Sequence, residues 1–287
     1  MRIDLHSHSS VSDGTDAPAA VIEYALAAGL DVLALTDHDT MAGIAAAAAA
    51  VPRGFTLVPG MELSCASNGG SVHLLGYLFD PESPELAAEL RRVRADRVIR
   101  AQGMVERLND AGVGVTWERV TEIAGDIGGG DVVGRPHIAR AIVEAGAAED
   151  VQDAFDRWVG HGGPAYVERY ALDPVRAVGL VRAAGGVCAL AHPARGEGTD
   201  TGAVSPETAE AMAQAGLGGI EADHPAHDDA ERVYWRGIAG DLGLVVTGSS
   251  DDHGDLSGHR LGCETTAPEA FEALIAPATG TAPVVGA

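Results

Sequence analysis

A chain of 287 residues that is 46% apolar can form one barrel-sized domain or two smaller ones, and its net charge of −23 is carried without any Lys, all 19 basic residues being Arg. The missing Lys excludes a P-loop, a protein-kinase active site and pyridoxal or Schiff-base chemistry, and the acidic surface disfavours long nucleic acid, so a phosphate must be held by Arg, backbone or metal. Cys65, Cys188 and Cys263 are widely spaced and form no disulfide or zinc-finger framework. With no basic-plus-apolar leader and no apolar run of the ~18 residues a membrane span needs, a cytoplasmic protein without a membrane partner is expected.

The predicted elements begin with a strand near residues 3–5. A helix follows at 18–28, opened by Asp16-Ala17-Pro18 and stopped by Gly29, then a strand at 32–35 and an Ala-rich helix at 45–50. Strands are expected at 56–58 and 72–79. Between 81 and about 170 the strand signal gives way to helical spacing, as in Leu86, Leu90, Val93, Val105 and Leu108, which predicts an inserted helical subdomain. Gly128-Gly129-Gly130 inside it lacks both a preceding strand and a following Lys, so it reads as a flexible loop and not a phosphate cradle. Strands resume at 187–191, 219–222 and 244–247, about seven in all, and the alternation is that of an α/β protein. Residues 1–80 and 171–275 are expected to form one domain, 81–170 the insertion, and 276–287 a flexible tail.

The chemistry sits at the ends of the apolar runs. His6 and His8, two apart on a strand, point to one side and can reach one ion. Alone they fit surface histidines of a strand tip slightly better. Their company changes the reading: Asp13 follows, Thr36-Asp37-His38-Asp39 ends the next strand, Glu62 follows the third, His73 opens the fourth, and His192, Asp251 and His253 come later. Imidazole and carboxylate at successive strand ends are the donor set of a multi-metal hydrolase. Asp37 and Asp39 flank His38 and suit a hydrogen bond to an imidazole, or for Asp39 a helix cap. Ser249 and Ser250 lack a nucleophile elbow and read as loop hydrogen-bonding residues. His161 and His259 read as surface residues.

Six segments carry a family likeness: His6-Ser7-His8, Thr36-Asp37-His38-Asp39, Gly60-Met61-Glu62, His73, Ala191-His192-Pro193 and Ser250-Asp251-Asp252-His253. In order and over roughly residues 2–266, they resemble the PHP (polymerase and histidinol phosphatase) family, related to amidohydrolases. The resemblance implies a distorted (β/α)7 barrel with the helical insert, and three divalent ions, Mn, Zn or Fe. One ion is expected on His6, His8, Glu62 and Asp251, a second on Glu62, His73 and His192, and a third on Asp13, His38 and His253. Three such ions outweigh the carboxylates of Asp13, Glu62 and Asp251, leaving a cationic pocket suited to phosphate.

The likeness extends to stand-alone members of the nucleoside 3',5'-bisphosphate phosphatase type through Gly134-Arg135-Pro136-His137, Ala191-His192-Pro193-Ala194-Arg195 and Glu221-Ala222-Asp223-His224-Pro225-Ala226-His227. It implies removal of a 3'-phosphate by a metal-bridged hydroxide, with Glu62, Asp251, His192 and His224 in the catalytic group. Arg135, His137, Arg195, His224 and His227 are expected at the substrate, the last two on the rim. Related members trim short RNA from the 5' end, which makes 5'-3' exoribonuclease action on short oligoribonucleotides the alternative, and a non-catalytic nucleotide-binding module a remoter one. Asp252 departs from the aromatic residue usual between the Asp and the His.

Overall fold

The computed structural model describes residues 1–67, 70–128, 133–168, 170, 172–194 and 204–286. Seven strands neighbour one another in sequence order around a nearly closed barrel: β1 (Ile3–Asp4), β2 (Val32–Leu35), β3 (Thr56–Ser67), β4 (Gly70–Tyr77), β5 (Val187–Leu190), β6 (Gly219–Asp223) and β7 (Val245–Gly248). Their two-residue period sorts the apolar side chains. Val32 and Ala34 pack with Ile3, Leu5, Tyr77 and Ala189, whereas Leu33 and Leu35 turn onto Val21, Ile22, Ala25 and Phe55. The latter layer belongs to α1 (Pro18–Ala27) and α2 (Ile44–Ala49). Pro18 opens α1 and Gly29, at φ 74, closes the turn behind it, but the cap position is Ala17 with no side-chain hydrogen bond, so Asp16 does not serve as the expected cap.

The barrel is distorted at β4. β1, β2 and β3 run parallel, as do β5, β6 and β7, but β4 is antiparallel to both its neighbours. The strand expected at 56–58 is twelve residues long: it pairs with β2 as far as Pro59 and with β4 from Gly60 onward. Pro59-Gly60 looks like a break in the sequence, yet the Pro59 carbonyl accepts the Leu78 N–H at 2.9 Å. Gly60 is needed for close packing, since a Cβ there would stand 2.9 Å from the Thr36 methyl. Between β7 and β1 the barrel is closed by a parallel bridge from Ser7 to Asp252 and by Asp4, whose buried carboxylate accepts Ser250 N at 3.0 Å and Gly262 N at 2.8 Å.

The insertion comprises α3 (Pro84–Asp110), α4 (Trp117–Gly128), α5 (Arg135–Glu144) and α6 (Val151–Ala154), which runs on into a wider turn over Phe155–Val159. These helices enclose a second apolar cluster that includes Met104, Leu108, Ile123, Ile138, Ile142 and Val159. Of the triple-glycine loop, Gly128 ends α4, and Gly129 and Gly130 lie outside the described residues. The barrel resumes with α7 (Pro174–Ala183), α8 (Pro206–Gln214), α9 (Asp229–Leu242) and α10 (Pro268–Ile275). Asp173, Ser205 and Asp228 cap the first three through their side chains. No helix among the described residues is long and apolar enough to cross a membrane.

The C-terminal segment departs from the expected flexible tail. Thr279 N and Gly280 N both donate to Gly185 O, and Thr281 N donates to Leu78 O. A short strand β8 (Val284–Val285) then pairs antiparallel with Thr56 and Leu57 of β3. Its Pro, Thr and Gly content hid this, because the pairing is dictated by an exposed edge of β3 far away in sequence and not by local propensity. Deleting residues 279–287 is expected to cost about 2 kcal/mol, lowering the melting temperature by about 4–8 °C in a calorimetric scan. An unchanged melting temperature would show that the segment adds no stability.

Candidate metal centre

The strand ends converge as the sequence pattern requires. Alternation puts His6 and His8 on one side of the chain leaving β1, and their Nε2 atoms stand 3.1 Å apart. His38 leaves β2, where an isolated parallel bridge pairs it with Glu62 of β3. Glu62 lies opposite Leu75 in the β3–β4 ladder, so His73, two residues before Leu75, projects from the same face on the diagonal. His192 follows β5, His224 follows β6, and Asp251 with His253 follows β7. The backbone is in the left-handed region at Asp39 (φ 53), His192 (φ 23) and Asp251 (φ 49), a cost that the surrounding hydrogen bonds sustain.

Glu62 is the hub. Its Oε2 is 3.2 Å from His6 Nε2, 3.1 Å from His8 Nε2 and 3.2 Å from His38 Nδ1, and its Oε1 is 2.7 Å from His73 Nδ1 and 3.0 Å from His192 Nε2. Asp251 Oδ1 stands 3.3 Å from both His6 Nε2 and His8 Nε2. Donor atoms bound to one tetrahedral ion at about 2.0–2.2 Å are separated by about 3.3–3.5 Å, so His6, His8, Glu62 and Asp251 have the spacing of a ligand set. Among the described residues the buried His38 Nδ1 completes no hydrogen bond, which likewise suits a metal donor.

A neighbouring group joins the ring nitrogens of His8, His38 and His253 to Asp13, with the donor atoms within 4.8 Å of one another. Asp13 lies 3.5 Å from His38 Nε2, 3.4 Å from His253 Nε2 and 3.7 Å from His8 Nδ1. The geometry therefore adds His8 to the expected trio and sets His38 against Glu62 as well. Burial pushes the carboxyls of Glu62 and Asp251 up, but the surrounding imidazoles outweigh it and hold both well below the usual range. Burial pulls His8 down, yet Asp251 and Glu62 raise it to about 10, while His38 is held near 4 by burial.

Two buried carboxylates to which the sequence pattern assigns no role support these groups. Glu221 accepts His6 Nδ1 at 3.1 Å and the His192 backbone N–H at 2.8 Å, fixing the His6 tautomer so that the Nε2 lone pair faces the centre. Burial raises its carboxyl, but His6, His224 and His192 bring it down to about 2. Asp4 steadies the His6 backbone N–H at 3.3 Å. The signal for both was available: each is a lone acid inside an apolar strand, Ile3-Asp4-Leu5 and Ile220-Glu221-Ala222.

Several expected roles change. Asp37 hydrogen-bonds no imidazole; it accepts Ser9 N, Ser9 Oγ and Ser12 Oγ at 2.7–2.8 Å and so holds the loop that carries Asp13. Asp39 caps no helix, because α2 begins after Gly43; it accepts Ser64 N at 2.8 Å and pairs with Arg97 of α3, tying the insertion to the barrel mouth. His224 and His227 are buried, not on the rim. His224 Nδ1 accepts Ala226 N, so its Nε2–H donates to Asp251 Oδ2 at 3.2 Å. His227 Nδ1 donates to Ala222 O at 2.9 Å and its Nε2 accepts Ala194 N, leaving no ring nitrogen for a substrate.

His137, also buried, accepts Gly134 N at Nδ1 and turns Nε2 toward the Ser12 carbonyl without completing a hydrogen bond. Arg135 opens α5 with its guanidinium 5.3 Å from the Phe155 ring centre. Arg195 lies outside the described residues. Asp252 turns inward, accepting Ser257 Oγ and Arg260 N at 2.7 Å, so its side chain shapes the loop. Ser250 donates its N–H to Asp4, as a loop residue, and Ser249 Oγ is buried without a partner. His259 pairs with Asp255 at 2.8 Å near the surface.

A barrel mouth lined by clustered imidazoles and carboxylates defines a metal-dependent hydrolase. The PHP domain model matches residues 4–168, and the chain belongs to the PHP family. It is 35% identical over 260 residues to a 3',5'-nucleoside bisphosphate phosphatase of Chromobacterium violaceum, covering 90% of this chain and 89% of the relative. A 5'-3' exoribonuclease of Haemophilus influenzae is 37% identical over 195 residues, 68% of this chain and 69% of the relative. A solved structure of a chain from Bifidobacterium adolescentis superposes with a TM-score of 0.89 at 32% identity, covering 96% of both chains. The protein is thus a PHP metal-dependent phosphoesterase.

Glu221→Gln keeps the shape but weakens the hold on His6 and His192, so kcat/KM for phosphoester hydrolysis is expected to fall about 10- to 100-fold. Wild-type kinetics in that variant would remove Glu221 from the account.

Proposed function

We propose that the enzyme removes the 3'-phosphate of a nucleoside 3',5'-bisphosphate. The observation that carries the reading is the shared Glu62 carboxylate, with one oxygen facing His6, His8 and His38 and the other facing His73 and His192. We assign one ion to His6, His8, Glu62 and Asp251, a second to Glu62, His73 and His192, and a third to Asp13, His38 and His253. When bound, such ions supply Lewis-acid charge to the phosphoryl oxygens and water acidified toward neutrality.

The chain's own groups do the rest. Glu221 holds His6 in the tautomer that offers Nε2, and His224 fixes Asp251 through its Nε2–H. We therefore read His224 as the residue that orients Asp251, in place of the expected contact with the substrate. Arg195, three residues after His192 in sequence, is our choice for gripping the reacting phosphate, because a guanidinium fork matches two phosphoryl oxygens. Arg135 we assign to packing on Phe155. The similarity to a bisphosphate phosphatase over most of both chains favours a small nucleotide, and the shorter match to an exoribonuclease keeps short 5'-phosphorylated RNA as the second reading.

Phosphate release from adenosine 3',5'-bisphosphate and nucleotide release from a 5'-phosphorylated trinucleotide, measured side by side, separate the two. Higher kcat/KM on the bisphosphate, with 5'-AMP as product, is expected; cleavage of the trinucleotide alone would favour the exonuclease. Asp251→Ala and His38→Ala are each expected to lower kcat by at least about 100-fold together with bound metal, read by elemental analysis. Full activity in either variant would contradict the assigned ligands.

A further inference from the structure

After β7 the chain turns back on itself, and the turn is built around Asp252. Its Oδ1 accepts Ser257 Oγ and the Arg260 backbone N–H, both at 2.7 Å, and its Oδ2 accepts Gly254 N at 3.1 Å. Ser257 Oγ in turn accepts His253 N at 2.8 Å. Gly258 and His259, at φ 76 and 52, complete the reversal. Arg260 is thereby returned to Asp251, nine positions earlier in the chain.

There the Arg260 guanidinium donates from Nη2 to the Asp251 carbonyl at 2.7 Å, and the same nitrogen stands 3.6 Å from Asp251 Oδ2. The carbonyl meets a second donor, since His253 Nδ1 lies 3.0 Å from it. A carbonyl oxygen only accepts, so the His253 proton sits on Nδ1 and the lone pair on Nε2, which faces Asp13 Oδ1 at 3.4 Å. Asp251 turns Oδ1 toward His6 and His8 Nε2 at 3.3 Å, while Oδ2 meets His224 and Arg260. Its backbone, at φ 49, is left-handed, a conformation that a residue with a Cβ holds only with support from its surroundings. That support comes from both sides of the residue: Asp251 N donates to His6 O at 3.0 Å, and the carbonyl is taken by Arg260 and His253. Arg260 Nε is buried and completes no hydrogen bond among the described residues, a desolvation cost that the charge-assisted contact at Nη2 helps to offset.

We propose that Arg260, returned by Asp252, is a positioning residue for metal binding: by fixing the Asp251 carbonyl it aims Asp251 Oδ1 at one ion position and His253 Nε2 at the neighbouring one. The guanidinium holds ligands and not substrate, so its loss registers in metal affinity and not in KM. The inference rests on the assignment of Asp251 and His253 as ligands.

Calorimetric titration of Mn(II) into metal-depleted protein tests it, with folding of each variant checked by circular dichroism. Arg260→Ala is expected to weaken Mn(II) binding by about 10- to 100-fold, and Arg260→Gln, which keeps a polar side chain in the turn, to match it. Arg260→Lys recovers part of the affinity, and so does millimolar guanidinium added to Arg260→Ala, while wild type does not respond to guanidinium. Combining Arg260→Ala with Asp252→Ala costs little beyond the worse single variant, because both act through one contact. With Mn(II) saturating, KM for adenosine 3',5'-bisphosphate is unchanged. Wild-type Mn(II) affinity in folded Arg260→Ala or Arg260→Gln, a loss that guanidinium does not recover, or a raised KM with unaltered metal binding would overturn the proposal. Asp251→Ala is the control. If it loses Mn(II) binding while Arg260→Ala keeps it, the ligand assignment stands and the role of Arg260 falls; if Asp251→Ala binds Mn(II) as wild type does, the ligand assignment fails and the inference with it.

Discussion

Burying one carboxylate among five imidazoles is the constraint on which the rest depends. Glu62 sits 1% exposed with nitrogens of His6, His8, His38, His73 and His192 about its two oxygens. Removing such groups from water costs far more than ordinary packing returns unless each charge meets a partner. The barrel meets that demand by bringing β1, β2, β3, β4 and β5 to one mouth. The reversal of β4 belongs to the same solution, because the antiparallel ladder sets His73 diagonally beside Glu62 on one face.

Outside this cluster a second layer of polar groups holds the first. Glu221 grips His6 and the His192 backbone, His224 grips Asp251, Asp37 holds the loop leading to Asp13, and Asp4 joins β1 to the segment after β7. Left-handed backbone at Asp39, His192 and Asp251 is sustained by these contacts. The insertion is fastened to the same mouth through Arg94 and Arg97 on Asp39, one residue after His38. The insertion and the candidate metal ligands of the barrel are thereby adjacent.

The candidate ligands were legible because each stands beside a short apolar run, and the period of a strand determines the side to which it points. His6 and His8 are the clearest case. Strand positions were legible for the same reason, with ends within a few residues, except where β3 runs through Pro59-Gly60 and where β8 uses an edge supplied by distant sequence. Side-chain roles one step away from the ligands were less legible. His224 and His227 look like rim residues in a polar stretch, yet tertiary packing buries them and occupies their nitrogens. Asp37 and Asp39 flank a ligand in sequence, but alternation turns them to a loop and to Arg97. The role of Glu221 escaped because no spacing rule links it to His6, 215 positions away. Its presence within an apolar strand was the available clue.

Anomalous diffraction from crystals soaked in Mn(II) would locate ions about Glu62. Strong peaks are expected on both sides of the Glu62 carboxylate, one within coordination distance of His6, His8 and Asp251 and another beside His73 and His192. Density confined to sites remote from Glu62, or no anomalous signal in the barrel mouth, would contradict that placement.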